Sequence, residues 1–195
     1  MACRTISTRW KAGSFPLDGP GMEYKGPMAT LNPSILLIPT PPQAEQSSGL
    51  PRIDFADCYH GHVARAGITA MQVARAAFDK PPGWVDGLMA VRDGVVGRLG
   101  LKTARDAAAA ATGSKAGIFP IISEMPNEVV LGLDDKHLDF RIWVSVQGMD
   151  GGTDVRMSTL VRLHGRPGRI YLAAVMPFHK LLSRHMLRRA LKSLG

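Results

Sequence analysis

The sequence contains only two cysteines, Cys3 and Cys58, among its 195 residues. Two cysteines cannot build a disulfide framework, and their spacing matches no zinc-binding motif. No secretory signal is recognisable, and the uncharged run SILLIP is far too short to cross a bilayer. These absences argue against a disulfide-rich secreted protein and against a helical membrane span. They predict a soluble, cytoplasmic protein in a reducing compartment.

Sequence motifs of common enzyme classes are also missing. There is no GxSxG, CxxC, HExxH or Walker motif. The glycines at 94, 97 and 100 lie in an apolar helical pattern with no strand before them, so they do not form a phosphate-binding loop. The basic segment from Pro177 to the C-terminus contains only one aromatic residue, Phe178, which is too few for nucleic-acid stacking. We therefore expect no cofactor and no sequence-specific nucleic acid.

Acidic residues are absent after Asp154, although the chain as a whole carries a formal charge of +8. The positive charge is therefore concentrated in the C-terminal segment, and the rest of the chain is close to neutral. Such a segment is typical of a solvated helix face, and it also fits a surface that docks a partner or an anionic membrane. The basic residues of this segment are Arg156, Arg162, Arg166, Arg169, Lys180, Arg184, Arg188, Arg189 and Lys192.

Residues 1–50 differ in composition from residues 51–195. They contain seven of the prolines and a polar QAEQSSG stretch, without sustained periodicity. Such a segment buries too little apolar surface to offset its ordering entropy. We expect a largely disordered extension in which SILLIP docks as a short extended piece, followed by one domain from residue 51. Met28 is an alternative natural start.

Helical and extended patterns alternate in the domain. IDFADCYHGHVA predicts a first strand, and TAMQVARAAF predicts a helix capped by Thr69. A second helix follows from Pro82 to about residue 100, with apolar residues at helical spacing. The next segment, LKTARDAAAAATGSK, is either a short helix or a connection.

Four strand patterns then follow in quick succession: GIFPIIS, NEVVLGL, HLDFRIWVSVQ and TDVRMSTLVRLH. Asp134–Lys136 and GMDGG supply hairpin turns between them. IYLAAVM predicts a last strand, and PFHKLLSRHMLRRALKSL predicts a C-terminal helix beginning at Pro177. This order predicts an α+β fold in which a curved antiparallel sheet wraps around a long C-terminal helix.

The strand HLDFRIWV carries the clearest candidate for chemistry. Its alternation places His137, Asp139, Arg141 and Trp143 on one face and the apolar residues on the other. A histidine beside a carboxylate can act as a general base, and an arginine can hold an anion. The row is more typical of the polar outer face of an antiparallel strand, and we expect it to lie on the side away from the terminal helix. The candidate catalytic residues are His137, Asp139, Arg141 and His179.

Two further groups of residues are candidates for binding. His60 and His62 share one side of a strand, as metal chelation requires, but two ligands do not complete a site, so no metal is predicted. An interior left hollow between sheet and helix would suit an apolar ligand. The side chains proposed to line it are Trp84, Leu88, Phe140, Ile142, Tyr171 and Phe178.

Three ordered blocks resemble a known family. PPGWVDGLMAVRDGVVGRLGLK, VVLGLDDKHLDFRIWV and GRIYLAAVMPFHKLL are similar to blocks of the bacterial domain of unknown function numbered 2867. The resemblance covers about residue 53 to the C-terminus and implies a START-like, helix-grip (SRPBCC) fold with no established reaction. Some members resemble appendages behind an NAD(P)-binding domain, but this chain lacks the G-x-G-x-x-G of such a domain. The blocks fall on Trp84, Arg92, Asp134, His137, Asp139, Arg141, Tyr171, Pro177, Phe178 and His179.

Three functions follow as hypotheses. The first is a module that binds a small hydrophobic ligand between sheet and C-terminal helix. The second is an enzyme of the cyclase, dehydratase or isomerase kind, with a histidine as acid–base residue and an arginine as anion clamp. The third is a protein that docks a partner or a membrane surface through its basic helix. The sequence specifies neither the ligand nor the oligomeric state.

Overall fold

The structure is a computed structural model, and it describes residues 33–80 and 113–195 together with Gly83 and Gly87. The described strands form a seven-stranded sheet with the order β1-β2-β7-β6-β5-β4-β3, and every paired neighbour runs antiparallel. This arrangement, with its long C-terminal helix, confirms the predicted α+β, helix-grip-like fold. The strands are β1 (Leu36–Ile38), β2 (Phe55–Val63), β3 (Lys115–Ala116), β4 (Phe119–Met125), β5 (Glu128–Asp134), β6 (Leu138–Met149) and β7 (Gly152–Leu163), and the described helices are α1 (Pro42–Ser47), α2 (Ala70–Phe78) and α3 (Gly165–Leu194).

The alternation of β6 gives the sheet two chemically different faces. Ile142 and Val144 belong to the main core, which also contains Met186 and Leu187 of α3, so this face is the one covered by the long helix. Residues of odd number on β6 point to the opposite face because successive side chains alternate along a strand. We call these the helix face and the second face.

Helix α2 begins where the sequence predicts it. The side chain of Thr69 accepts a hydrogen bond from the backbone N–H of Gln72, and the Gln72 side chain accepts one from the N–H of Thr69. This reciprocal capping box satisfies two donors that a helix start otherwise leaves open. Val73, Ala74 and Ala77 are fully buried, which fixes α2 on the helix face.

Helix α3 is longer than the sequence predicts, because the predicted last strand IYLAAVM is wrong. Those residues are helical, and α3 runs unbroken from Gly165 to Leu194 with Pro177 inside it. The apolar run fits a strand or a helix equally well, so the sequence pattern alone does not distinguish them. Pro177 lies inside the helix, so the prediction that the helix begins there is wrong. Because Pro177 has no N–H, the carbonyl one turn earlier receives no hydrogen bond from it.

The second face is covered by a crossover that connects β1 to β2. Ala44 of α1 is fully buried in a small cluster with Val130, Trp143 and Leu160 of the sheet. SILLIP contributes β1, which pairs with the outer side of β2. Residues 33–50, which the sequence assigned to the extension, thus include a strand and a helix that pack on the domain.

Gly61 of β2 lies where both ends of the described chain meet. A Cβ atom at Gly61 would clash with Cδ1 of Leu191, near the end of α3, and would press against Cδ1 of Ile35, just before β1. Leu191 and Ile35 are 2% and 4% exposed. Because Gly61 has no side chain, the segment before β1 and the end of α3 can both pack against it.

Several predictions concern residues outside the described ranges. They are the disorder of residues 1–32, the alternative start at Met28, the helix after Pro82 and the segment LKTARDAAAAAT, together with Trp84, Leu88 and Arg92.

Candidate functional site

A buried carboxylate meets a histidine on the helix face. Asp57 of β2 and His179 of α3 approach with Oδ2 and Nε2 3.0 Å apart, and their side chains are 9% and 17% exposed. A carboxylate only accepts hydrogen bonds, so Nε2 carries the proton in this contact. Of the candidate catalytic residues, His179 is thus the one in contact with a carboxylate on the helix face.

The surroundings of this pair are partly apolar. The ring of Phe55 meets the imidazole of His179 edge-on, with the ring centroids 5.7 Å apart. The Ser183 hydroxyl, one helical turn after His179, lies 3.5 Å from both ring nitrogens. Both distances are at the upper limit for a hydrogen bond, so neither contact is the short, aligned bond of a catalytic triad.

The second oxygen of Asp57 is buried without a partner. Oδ1 makes no hydrogen bond to any of the described residues. The carboxylate also acts on its neighbour Tyr59: burial and then the charge of Asp57 raise the pKa of that phenol above its usual value of 10.0, and Arg184 opposes them. Asp57 therefore influences the protonation of a neighbouring side chain on the helix face.

Several positions of the helix face are only partly buried. Thr159 of β7 and Phe140 of β6 lie on central strands of this face, yet both remain partly exposed. On the first half of α3, Leu172 and Val175 are also partly exposed, and they lie at the same helical spacing as His179. We use the name sheet–helix cleft for the region of Asp57, Phe140, Thr159, Val175 and His179.

The two halves of α3 pack differently. In the last third of the helix Met186, Leu187, Ala190 and Leu191 are all 5% exposed or less. Before Ser183, Gly168 is the only helical residue that is buried to a similar degree. The sheet–helix cleft therefore adjoins the loosely packed half of α3, while the other half is closed.

Three aromatic rings lie along one side of the helix face. Phe119 of β4 meets Phe78 of α2 and Phe140 of β6 edge-on, with ring centroids 5.2 and 5.6 Å away. Edge-to-face pairs of this kind add stability beyond the area that they bury. The chain of rings links α2 to the centre of the sheet and gives Phe140 a fixed neighbour at the cleft.

The predicted polar row of β6 lies on the second face, away from α3. Arg141 is 9% exposed; its Nε donates to the carbonyl oxygen of Ser48 over 3.2 Å, and its Nη1 donates to the carboxylate of Asp134. Asp139 is 8% exposed, with its Oδ2 at 2.9 Å from Nε2 of His164 and 3.4 Å from Nη1 of Arg162. Arg141 is therefore held against the crossover, and Asp139 is held by basic residues of β7 and of the start of α3.

Two side chains of the row bury polar atoms without partners. Both ring nitrogens of His137 and the Nε1 of Trp143 are buried and make no hydrogen bond to described residues. Trp143 is fully buried beneath Ala44, in a cluster that is otherwise apolar. His137 is held from its backbone, where its carbonyl accepts the N–H of His164 at the start of α3.

His60 and His62 both contact Asp154 on the second face. Nδ1 of His62 lies 2.9 Å from Oδ1, and Nε2 of His60 lies 3.4 Å from Oδ2. Burial raises the pKa of Asp154, but the bonds and charges of the two histidines outweigh it and hold the pKa below the usual 3.8. In the described ranges, no group of three histidine, cysteine or acidic side chains is placed to hold a metal ion.

The remaining cavity candidates are distributed over both sides of α3. Ile142 is 8% exposed in the core, and Tyr171 is partly exposed. Phe178 is 42% exposed and belongs to the outer side of the helix with Leu181. Within the described part of the chain, no helix is long and apolar enough to span a membrane.

Asp57, Thr159 and Ser183 were not among the residues singled out from sequence. A signal for Asp57 was present, because Phe55, Tyr59 and Val63 share its parity in β2 and only Asp57 is charged among them. A carboxylate among apolar residues of the same parity indicates a polar group on the buried face of the strand. No comparable sequence signal distinguishes Thr159 or Ser183.

A comparison with known proteins gives one family. A family model described as protein of unknown function (DUF2867) matches residues 50–186, which is more than two thirds of the chain. No curated protein is significantly similar to the chain, and no solved structure is either.

Proposed function

The chain belongs to the DUF2867 family of proteins of unknown function, and we propose that its domain binds a small hydrophobic molecule in the sheet–helix cleft. The observation that carries this proposal is the exposure of Thr159. It lies on a central strand of a seven-stranded sheet, on the face covered by helices, yet it is partly exposed. Protein interiors are close-packed, so an accessible position there favours a ligand site.

The lining of the cleft supports an apolar occupant. Phe140, Leu172 and Val175 are apolar, and Asp57 with His179 supplies a small polar group at one side. Ligand sites are usually built in this way, from apolar walls and a few polar groups. The expected START-like grouping and a cytoplasmic location are part of the same proposal. An antiparallel sheet with a long C-terminal helix supports the former, and a free, buried Cys58 supports the latter.

Binding of the hydrocarbon probe diphenylhexatriene to the full-length protein tests the proposal. We expect saturable fluorescence enhancement at one site per chain, and native mass spectrometry of freshly purified protein is expected to detect a co-purifying molecule. Thr159→Trp fills the cleft and should abolish probe binding. The matched control is Leu37→Trp, which adds the same ring at a position 66% exposed on the edge strand β1. Unsaturable probe binding, or equal binding by both variants, would contradict the proposal.

An enzyme is the second candidate, and the contact of His179 with a buried carboxylate favours it. A carboxylate that orients a histidine is a common arrangement for a general base. Arg141, the arginine among the candidate catalytic residues, is not beside His179, because its side chain lies on the second face. Deuterium uptake by a co-purifying molecule in D2O would test this candidate: exchange in the wild type that is lost in His179→Gln supports it, and equal exchange refutes it.

A further inference from the structure

We propose that the ligand of the sheet–helix cleft carries a hydrogen-bond donor, a hydroxyl or an N–H group, that binds Oδ1 of Asp57. The inference rests on the proposed function and specifies its ligand as an uncharged amphipathic molecule instead of a pure hydrocarbon or a fatty acid. Three observations carry it: the unpartnered oxygen, its position beside the cleft and the charge of the carboxylate.

The unpartnered oxygen is the first observation. Asp57 has a side chain only 9% exposed, with Oδ2 engaged by His179 and Oδ1 without a partner among the described residues. A buried acceptor that loses its water without gaining a donor destabilises the fold. Asp139, a carboxylate of similar burial on the second face, has two basic neighbours. The free oxygen of Asp57 is therefore a distinct feature, and a donor from a ligand would satisfy it.

Its position connects the oxygen to the cleft. Asp57 pairs directly with Thr159 across β2 and β7, so the two Cβ atoms lie on one face about 5 Å apart. Thr159 is a partly exposed residue of the central sheet, and His179 approaches Asp57 from α3. A molecule in contact with Thr159 thus lies next to the carboxylate of Asp57.

The charge of the site selects among ligand head groups. A carboxylate accepts hydrogen bonds and repels a second carboxylate, and a bond to a charged acceptor is stronger than one between neutral groups. The histidine at Oδ2 provides the hydrogen-bond partner of Asp57 within the protein. An alcohol therefore fits the site better than an ether of the same length or a fatty acid.

Displacement of diphenylhexatriene from full-length protein by three probes that share a ten-carbon chain tests the inference. We expect 1-decanol to displace it at about one-tenth of the concentration that decyl methyl ether requires, because the ether accepts hydrogen bonds but donates none. Decanoate should be the weakest. In Asp57→Val, decanol and the ether should displace diphenylhexatriene at equal concentrations.

Asp154→Val is the matched control, because it removes another histidine-paired strand carboxylate from the second face. It should keep the preference for decanol. Equal displacement by decanol and the ether in the wild type, as expected if a fixed water already satisfies Oδ1, overturns this inference and leaves the proposed function standing. Failure of all probes, including diphenylhexatriene, overturns both.

A measurement on the wild type alone tests the inference even if Asp57→Val does not fold. The imidazole nitrogen resonances of His179 should shift when decanol is added and stay unchanged with the ether, because only decanol binds the carboxylate that His179 contacts. Identical shifts with both probes would contradict the inference.

Discussion

The Nε of Arg141, in the middle of β6, donates a hydrogen bond to the backbone carbonyl of Ser48, which directly follows α1. The two residues are 93 positions apart, and both are buried, at 9% and 2% exposure. Arg141, one of the candidate catalytic residues named from sequence, thus connects the crossover to the sheet. Replacement of Arg141 should therefore destabilise the packing of the crossover on the sheet, and we expect this effect on stability and not a direct effect on a catalytic step.

Replacing Arg141 by methionine should lower the free energy of unfolding by about 2–3 kcal/mol, because the buried Ser48 carbonyl loses its charged donor. Amide exchange at Leu50, whose N–H bonds to the Ser48 hydroxyl, should accelerate at the same time. Arg162→Met is the control: its side chain is 36% exposed and its ion pair spans 3.4 Å, so the expected cost is below about 1 kcal/mol. Equal losses in chemical denaturation would contradict the assignment.

Trp143 should tolerate phenylalanine far better than alanine. Its Nε1 has no partner among the described residues, so Trp143→Phe removes a buried, unsatisfied donor together with some volume. We expect a cost of about 1 kcal/mol or less for phenylalanine and about 3–5 kcal/mol for alanine, which leaves a cavity under Ala44. Urea denaturation measures both. A cost for phenylalanine close to that for alanine would indicate that Nε1 is hydrogen-bonded.

Alanine substitutions at Gly117 and Gly67 distinguish the cost of a steric clash from the cost of backbone strain. Both have positive φ, at 59° and 73°, but a Cβ at Gly117 would clash with the backbone carbonyl of Phe78, and a Cβ at Gly67 meets nothing within 4 Å. Alanine at Gly67 should cost about 1 kcal/mol, the penalty for a left-handed residue. Alanine at Gly117 should cost about 3 kcal/mol because the end of α2 must also move. Thermal denaturation would refute this account if the two costs were equal.

The histidine-paired Asp154 should make stability depend on acidity. Because the pKa of this carboxyl is held below 3.8 in the folded protein, its contribution is present above the unfolded pKa and is lost as the pH falls through the folded value. Asp154→Asn should therefore be less stable than the wild type near neutral pH, by up to about 1 kcal/mol, and the difference should shrink below about pH 4.

His62→Gln supplies the second arm of a double-mutant cycle. The two substitutions should be non-additive near neutral pH, because both remove one contact. Additive losses across the whole pH range would contradict the pairing of His62 with Asp154.

Local patterns predicted the elements that depend on local chemistry. The Thr69 cap, the alternation of β6 and the turns at Asp134–Lys136 and Gly148–Gly152 are all encoded within a few residues, and the structure contains each of them. The placement of Phe140 and Ile142 toward α3 follows from the same alternation. These features fixed the fold class and the orientation of the polar row.

The elements that sequence analysis missed depend on distant partners. The α3 segment 170–176 is an apolar run between a glycine and a proline, and its length suits a strand or a helix equally well. Residues 42–47 are ordered because Ala44 packs on Trp143, 99 positions away, which local composition cannot reveal. Asp57 and His179 meet for the same reason, 122 positions apart.

The meeting of Ile35 and Leu191 over Gly61 also makes closure of the core a long-range event. The two residues are 156 positions apart, so their contact forms only after distant parts of the chain have come together. Without the turns of α3 that contain Leu187 and Leu191, Val144 and Val155 lose part of their cover on the helix face. Partly folded states that lack this contact should therefore expose apolar surface and be prone to aggregation.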